Sequence, residues 1–443
     1  MISFSLFLIK KRIKMNKNKE IWISGFALFS LFFGAGNLIL PPYLGANSGA
    51  HWWLVLLGFI ITAVIIPILA IFAHAKVQGT LYDLGKKVSP WFSSIYCIFI
   101  YIIAVTIPAP RTASVTHEMA ISPIFGTSPL LTSSIYFLLI FLFVINRSKI
   151  VTLTGKVLTP IIVVILLIMI SLSLFSFTEE LTISNYQSSF VAGILEGYQT
   201  FDAIGGVVVG AVIIISLNAR GHTSYKAKKE LITKSGFIAG AGLLLIYGGL
   251  IISGALLGSS FSQNASRIEI LTSLSTQILG NVGAFFLSVL VSLACFTTAV
   301  GIITGASDYV KEIFRESKKA YVFTAFICCF LGVLIGHFKV DFIITIAIPI
   351  LMFIYPITIA LIFLNIISKR FASKLVFRGV VIVAFVFSIP DFLLFFLEKE
   401  WLLHLTSWIP LSSQSLGWVI PSALSFLLLN LYELNRSPET KGA

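Results

Sequence analysis

The sequence predicts an all-α polytopic membrane protein of about twelve transmembrane helices. Three observations predict it. Of the 443 residues, 57% are apolar and only 11% are charged, where soluble domains carry about 25% charged residues. At roughly 20 apolar residues per crossing, that content suffices for about twelve spans. The apolar residues also lie in long continuous runs, which argues against an outer-membrane barrel with its short alternating strands. Finally, the basic residues concentrate in every second loop, as a chain threaded back and forth through a bilayer requires. The same composition excludes a cytoplasmic enzyme, a disordered chain and a secreted disulfide scaffold.

The runs fall near 21–46, 52–74, 92–117, 130–146, 157–177, 191–216, 236–259, 277–306, 320–337, 341–367, 377–397 and 407–431. Pro410 and the polar Ser412-Ser413-Gln414-Ser415 interrupt the last of them. Of the 31 Lys and Arg, 27 fall in the N-terminal stretch, the even-to-odd loops and the C-terminal tail. Only Arg111, Arg267, Lys339 and Lys399 fall on the opposite side. Both termini are therefore expected in the cytoplasm, with the chain spanning the membrane many times. The net charge of +13 then reports topology and attraction to anionic headgroups, and no nucleic acid partner is implied.

Residues 1–20 read as a cytoplasmic tail, 21–177 as helices 1–5, 191–367 as helices 6–10, 377–431 as helices 11–12 and 432–443 as a second tail. At the N-terminus, apolar Phe4–Ile9 precedes the basic cluster, the reverse of a signal peptide. Met15 is the more natural start. Cys97, Cys295, Cys328 and Cys329 lie inside apolar runs without metal-ligand spacing and read as packing residues.

The informative positions are those where a span cannot stay helical. Unpaired backbone groups in lipid cost several kcal/mol each, so irregular backbone persists only where it lines a cavity or a site. Span 1 carries Gly34-Ala35-Gly36-Asn37 at its middle, and the glycines permit unwinding. Asn37 can bond the freed backbone groups. Pro41 and Pro42 suit the first turn of a second half-helix poorly and limit its length. Span 6 carries Tyr198-Gln199-Thr200-Phe201-Asp202, with Gly205-Gly206 permitting the break. A carboxylate at mid-membrane marks a functional site by default, and a capping role for Asp202 at the second half-helix is compatible with one. Interrupted segments at matching positions of two halves point to the binding site of a secondary transporter. Spans 1–5 and 6–10 would then be inverted repeats, because each repeat holds an odd number of spans.

Span 8 contains Ala294, Thr297 and Thr298, whose carbonyl and two hydroxyls share one helical face. They offer oxygen ligands to a hard cation such as Na+, or the hydroxyls simply bond their own helix. Arg111 and Glu118, seven residues apart near the end of span 3, suggest either a gate or headgroup-level anchors.

Three segments carry a resemblance. Phe33-Gly34-Ala35-Gly36-Asn37-Leu38-Ile39-Leu40-Pro41-Pro42, Ile107-Pro108-Ala109-Pro110-Arg111-Thr112-Ala113-Ser114 and Gly197-Tyr198-Gln199-Thr200-Phe201-Asp202-Ala203 occur in that order. They resemble the hallmark segments of the bacterial branched-chain amino acid:cation symporters, the type II carriers of the LIVCS family. From about residue 15 onward the chain is similar to that family. The resemblance implies a LeuT-like fold with a 5+5 inverted repeat and broken helices 1 and 6. It further implies uptake of leucine, isoleucine and valine with Na+ or H+, and no cofactor beyond Na+ as the coupling ion.

The LeuT-like pattern puts sodium-binding carbonyls at Ser30, Phe33 and Ala294 and hydroxyl ligands at Thr297 and Thr298. Substrate is expected between the breaks, against Gly34, Ala35, Gly36, Asn37, Tyr198, Thr200, Phe201, Asp202 and Phe296. Its carboxylate would meet N–H groups near Gly34–Asn37, where a half-helix dipole is positive. Its ammonium would meet carbonyls around Tyr198–Asp202. Phe201 and Phe296 would wall an apolar pocket, where each buried CH2 contributes about 0.8 kcal/mol. A neutral zwitterion read this way needs no charged side chain. Pairing with the substrate amine and carrying a proton both stay open for Asp202.

Two alternatives remain beside a symporter. One is an uncoupled or proton-coupled permease for another neutral solute. The other is a membrane-embedded enzyme or a flippase. The enzyme would need a nucleophile or metal constellation, and the six histidines are scattered near span ends.

Overall fold

The computed structural model describes residues 17–34, 37–146, 149–176, 181–219, 224–262, 264–397 and 400–436. Among them every regular element is a helix. In chain order they are α1 (Lys17–Phe32), α2 (Leu40–Ser48), α3 (52–77), the short α4 (Leu81–Gly85), α5 (Pro90–Phe125), α6 (Pro129–Asn146), α7 (Lys149–Ser176) and α8 (Ser189–Tyr198). The second part comprises α9 (Asp202–Ala219), α10 (Tyr225–Leu256), α11 (Arg267–Ile313), α12 (Lys318–Gly336), α13 (Val340–Ile366), α14 (Lys374–Leu397), the short α15 (Glu400–Thr406) and α16 (Val419–Arg436). By length and composition, 8 stretches of the described residues could each cross a membrane, and shorter apolar helices cover Thr159–Phe175 and Val419–Asn435. Large apolar side chains such as Phe26, Leu138, Phe285, Phe323 and Leu428 face outward. A bilayer tolerates that surface and water does not.

The runs at 21–46 and 191–216 each fall on two helices, as the sequence predicts. The positions of the breaks differ in detail from the expectation. Span 6 is irregular at 199–201, upstream of Gly205-Gly206. Phe201 adopts a left-handed conformation with φ 59°, and Gly205 N–H donates back to its carbonyl at 2.7 Å. The glycines therefore belong to α9. A Cβ on Gly206 would press on Ala70 and Pro67 of α3, so that glycine permits close packing rather than unwinding. In span 1, Pro41 and Pro42 occupy the first turn of α2. They suit it well, because the first-turn N–H groups of a helix have no intrahelical acceptor to lose.

Two helix pairs lock through reciprocal glycines. A Cβ on Gly58 of α3 would overlap the Phe190 carbonyl of α8, and one on Gly193 of α8 would overlap the Val55 carbonyl of α3. Gly45 of α2 and Gly254 of α10 stand in the same relation to Ile251 and Pro42. Lipid supplies no hydrophobic drive between helices, so close backbone approach at small residues does the holding. The half-helices α2 and α8 are thereby fixed to α10 and α3 respectively.

Candidate functional site

Each break brings together one helix C-terminus and one helix N-terminus: α1 and α2 in span 1, α8 and α9 in span 6. Carbonyls and N–H groups without intrahelical partners collect there, and side chains bind across them. Asn37 Nδ2 donates to Asp202 Oδ1 at 2.9 Å and reaches the Phe32 carbonyl at 3.4 Å. Tyr247 Oη of α10 donates to Asp202 Oδ2 at 3.2 Å. Asp202 N–H donates to Thr200 Oγ1 at 3.2 Å, and that hydroxyl donates to the Gly197 carbonyl at 2.8 Å. Asp202 therefore turns its carboxylate toward span 1 and α10 instead of capping its own helix. Thr200 satisfies the first N–H of α9.

Arg111 completes the cluster. Ile107 departs from helical geometry, with φ −120° and ψ −71°, and Pro108 restarts the helix. This kink carries Arg111 into the interior, where it is 3% exposed. Its Nη1 donates to the Gln199 carbonyl at 2.8 Å, and its Nη2 to Asn37 Oδ1 at 3.4 Å. The Phe201 ring lies 5.4 Å from the guanidinium carbon. Arg111 is thus neither a headgroup anchor nor half of a pair with Glu118. Glu118 Oε1 instead accepts from Val340 N–H at 2.8 Å, at the start of α13. A charge inside the apolar run 92–117 was the signal that could have placed Arg111 in the site. Nothing in the sequence marks Tyr247, one tyrosine within the apolar run 236–259.

The other expected residues separate into groups. Tyr198 is buried and its ring lies 4.2 Å from that of Tyr355 of α13. Among the described residues, its chain neighbours aside, the atom nearest to the place a Cβ on Gly34 would take belongs to the Asn37 side chain, at 3.9 Å. Ala35 and Gly36 lie outside the described residues. Phe296 packs edge-on against Tyr136 and Phe143 of α6, at 5.7 and 5.3 Å, on the side of α11 that faces α6. The Thr297 and Thr298 hydroxyls both donate to the Ala294 carbonyl at 2.9 Å, which gathers three oxygens at one point of α11. Ser30 Oγ shares a hydrogen bond with Thr159 Oγ1 of α7 at 3.0 Å, and the Phe33 ring stacks on Phe29 at 4.9 Å. Among the described residues, no hydrogen bond joins Ser30 or Phe33 to the α11 oxygens.

A second charged cluster ties α2, α8, α11 and α13 together at one end. Arg267 Nε and Nη2 donate to Glu196 at 2.7 and 3.1 Å, and Nη1 donates to Asp341 at 2.6 Å. The Tyr43 ring of α2 lies 4.2 Å from the guanidinium carbon. Arg267 stands at the start of α11, whose first part is set off from the rest by Gly280 at φ 68°.

The whole described chain has known relatives. A family model described as branched-chain amino acid transport protein matches residues 17–435. The branched-chain amino acid transport system 2 carrier protein of Pseudomonas aeruginosa is 33% identical over 420 residues, covering 93% of this chain and 95% of its own. A Staphylococcus aureus (strain MRSA252) protein named as a branched-chain amino acid carrier is 31% identical, with 93% and 97% covered. Among solved structures, Mhp1 in an inward-facing conformation matches with TM-score 0.61 at 11% identity, covering 95% of this chain and 91% of that one. MhsT in complex with L-phenylalanine matches with TM-score 0.50 at 18% identity, covering 92% and 97%. The fold is LeuT-like.

Proposed function

The chain belongs to the branched-chain amino acid transport protein family, and from that premise we propose that it is a secondary active symporter importing leucine, isoleucine and valine. Import is coupled to Na+ or H+ and proceeds by alternating access in a bacterial cytoplasmic membrane, with both termini inside. One observation carries the reading. Two spans break in mid-course, and the breaks meet at the Asn37–Asp202 hydrogen bond of 2.9 Å. Irregular backbone at that depth is expected only around a site. The names of the relatives support the substrate class.

The packing supports an inverted repeat. The second half of span 1, α2, locks onto α10, which is span 7, and the second half of span 6, α9, packs through Gly206 onto α3, which is span 2. Exchanging 1 with 6 and 2 with 7 maps one pair onto the other. The sparse basic residues at the Arg267 end mark it as external. There the Glu196–Arg267–Asp341 cluster, with the Tyr43 ring, ties the outer halves of both broken spans to α11 and α13. Opening to the outside then requires those ion pairs to part.

For Na+, the ligands are the Ser30, Phe33 and Ala294 carbonyls with the Thr297 and Thr298 hydroxyls. Each hydroxyl that donates to Ala294 keeps lone pairs for a cation. The full burial of Asp202 (4% exposed) favours a second reading, in which its carboxyl carries the coupling proton. Labelled leucine uptake into proteoliposomes tests both. Concentrative uptake that collapses when K+ replaces Na+ supports the sodium site. Uptake that ignores Na+ and follows an imposed proton gradient supports Asp202. Absence of leucine uptake under either gradient would refute the symporter.

A further inference from the structure

Arg111 and Asp202 are both buried, at 3% and 4% exposure, yet they do not pair. Among the described residues no carboxylate lies within ion-pair distance of Arg111 and no cation within that distance of Asp202, whereas Arg267 meets two carboxylates. Asn37 stands between the two charges, accepting from Arg111 on its oxygen and donating to Asp202 from its nitrogen. Each charge is steadied by a helix end. Arg111 donates to Gln199, just beyond the C-terminus of α8, and Asp202 opens the N-terminus of α9. A helix C-terminus favours a cation and an N-terminus an anion, so both groups can stay charged without touching.

Of the five N–H donors of a guanidinium, Arg111 spends one on Gln199 and one, at a long 3.4 Å, on Asn37. The Gln199 side-chain oxygen is also buried, with no hydrogen-bond partner among the described residues. One turn along α9 from Asp202, a Cβ on Gly205 would meet nothing within 4 Å among the described residues.

We propose that Arg111 and Asp202 read the two ends of a zwitterionic α-amino acid, Arg111 taking the carboxylate and Asp202 the ammonium. Asn37 is the spacer that keeps the two protein charges from neutralising each other. The proposal rests on the amino acid transport reading above. It replaces a carboxylate site made of backbone N–H groups alone with one centred on a guanidinium, whose fork fits a carboxylate with two parallel hydrogen bonds.

The test compares leucine with leucinamide, which lacks the carboxylate charge, and with 4-methylpentanoate, which lacks the amine. Each competes against labelled leucine for binding to the purified full chain in liposomes. The unaltered protein should prefer leucine to either analogue by about a hundredfold, because each analogue leaves one buried charge unanswered. In Arg111→Gln, leucine should weaken to within about threefold of leucinamide, and Arg111→Lys should restore part of the gap. Asp202→Asn should erase the discrimination against 4-methylpentanoate while leaving that against leucinamide in place.

Equal competition by leucine and leucinamide in the unaltered protein overturns the inference without any variant. So does an Arg111→Gln protein that still prefers leucine by the full margin. In both cases labelled leucine still binds, so the transport reading survives. If labelled leucine does not bind the unaltered protein at all, that reading fails with this one.

Discussion

The molecule holds two arginines near its broken spans, Arg111 buried and Arg267 partly exposed, and they are used in opposite ways. Arg267 meets Glu196 and Asp341 at 2.6–3.1 Å with the Tyr43 ring beneath it. Arg111 lies above Phe201 and reaches Asp202 only through Asn37. The parts are nearly the same: a guanidinium, a carboxylate and an aromatic ring. In the first cluster the charges answer each other, and the product is a fastening between four helices. In the second they are kept apart, and each remains available to a ligand. Direct pairing makes a latch and mediated pairing makes a receptor.

The largest effect is expected from Asp202→Asn. Leucine uptake should fall about a hundredfold or more, measured as initial rate in proteoliposomes with matched protein content. A variant transporting at near-normal rate would remove the receptor side of the contrast. Next comes Arg267→Gln, which leaves Glu196 and Asp341 facing each other without their cation. It should free the outer ends of α2 and α8, raise labelling of a cysteine introduced at Ser48, and slow uptake about tenfold. Unchanged labelling would mean that the cluster is not what closes that end.

Thr298→Ala should raise the Na+ concentration needed for half-maximal uptake about fivefold, with expression unchanged. An identical Na+ response would leave the α11 hydroxyls as helix-internal hydrogen bonds. Smallest is Tyr247→Phe, which removes one of two donors to Asp202. Leucine affinity should fall only about threefold, because Asn37 still holds the carboxylate. A loss as large as that of Asp202→Asn would make Tyr247 a ligand in its own right.

The two breaks were legible in the sequence because lipid makes irregular backbone and mid-span charge expensive. Gly34, Asn37 and Asp202 stand out against apolar neighbours for that reason. The exact place of the second break was not legible. Gly205-Gly206 reads as a hinge, but Gly206 serves the approach of α9 to α3, and a left-handed phenylalanine makes the turn. Conformational freedom and close packing call for the same residue, and one sequence cannot separate them.

Arg111 was read from its distance along the chain to Glu118. Its actual partners, Asn37 and Gln199, lie 74 and 88 residues away. Tyr247 and the Arg267 cluster were hidden for the same reason, since their meaning is wholly in contacts between distant segments. Phe296 was expected, with Phe201, to wall the apolar substrate pocket. A rotation of about 100° per residue turns its ring toward Tyr136 and Phe143 instead.

The most direct test of the contrast is equilibrium binding of labelled leucine to Arg111→Gln and Arg267→Gln side by side. If mediated charges read the substrate and paired charges only fasten helices, affinity falls about a hundredfold in the first and less than about fivefold in the second. Equal losses, or a greater loss in Arg267→Gln, would contradict the account.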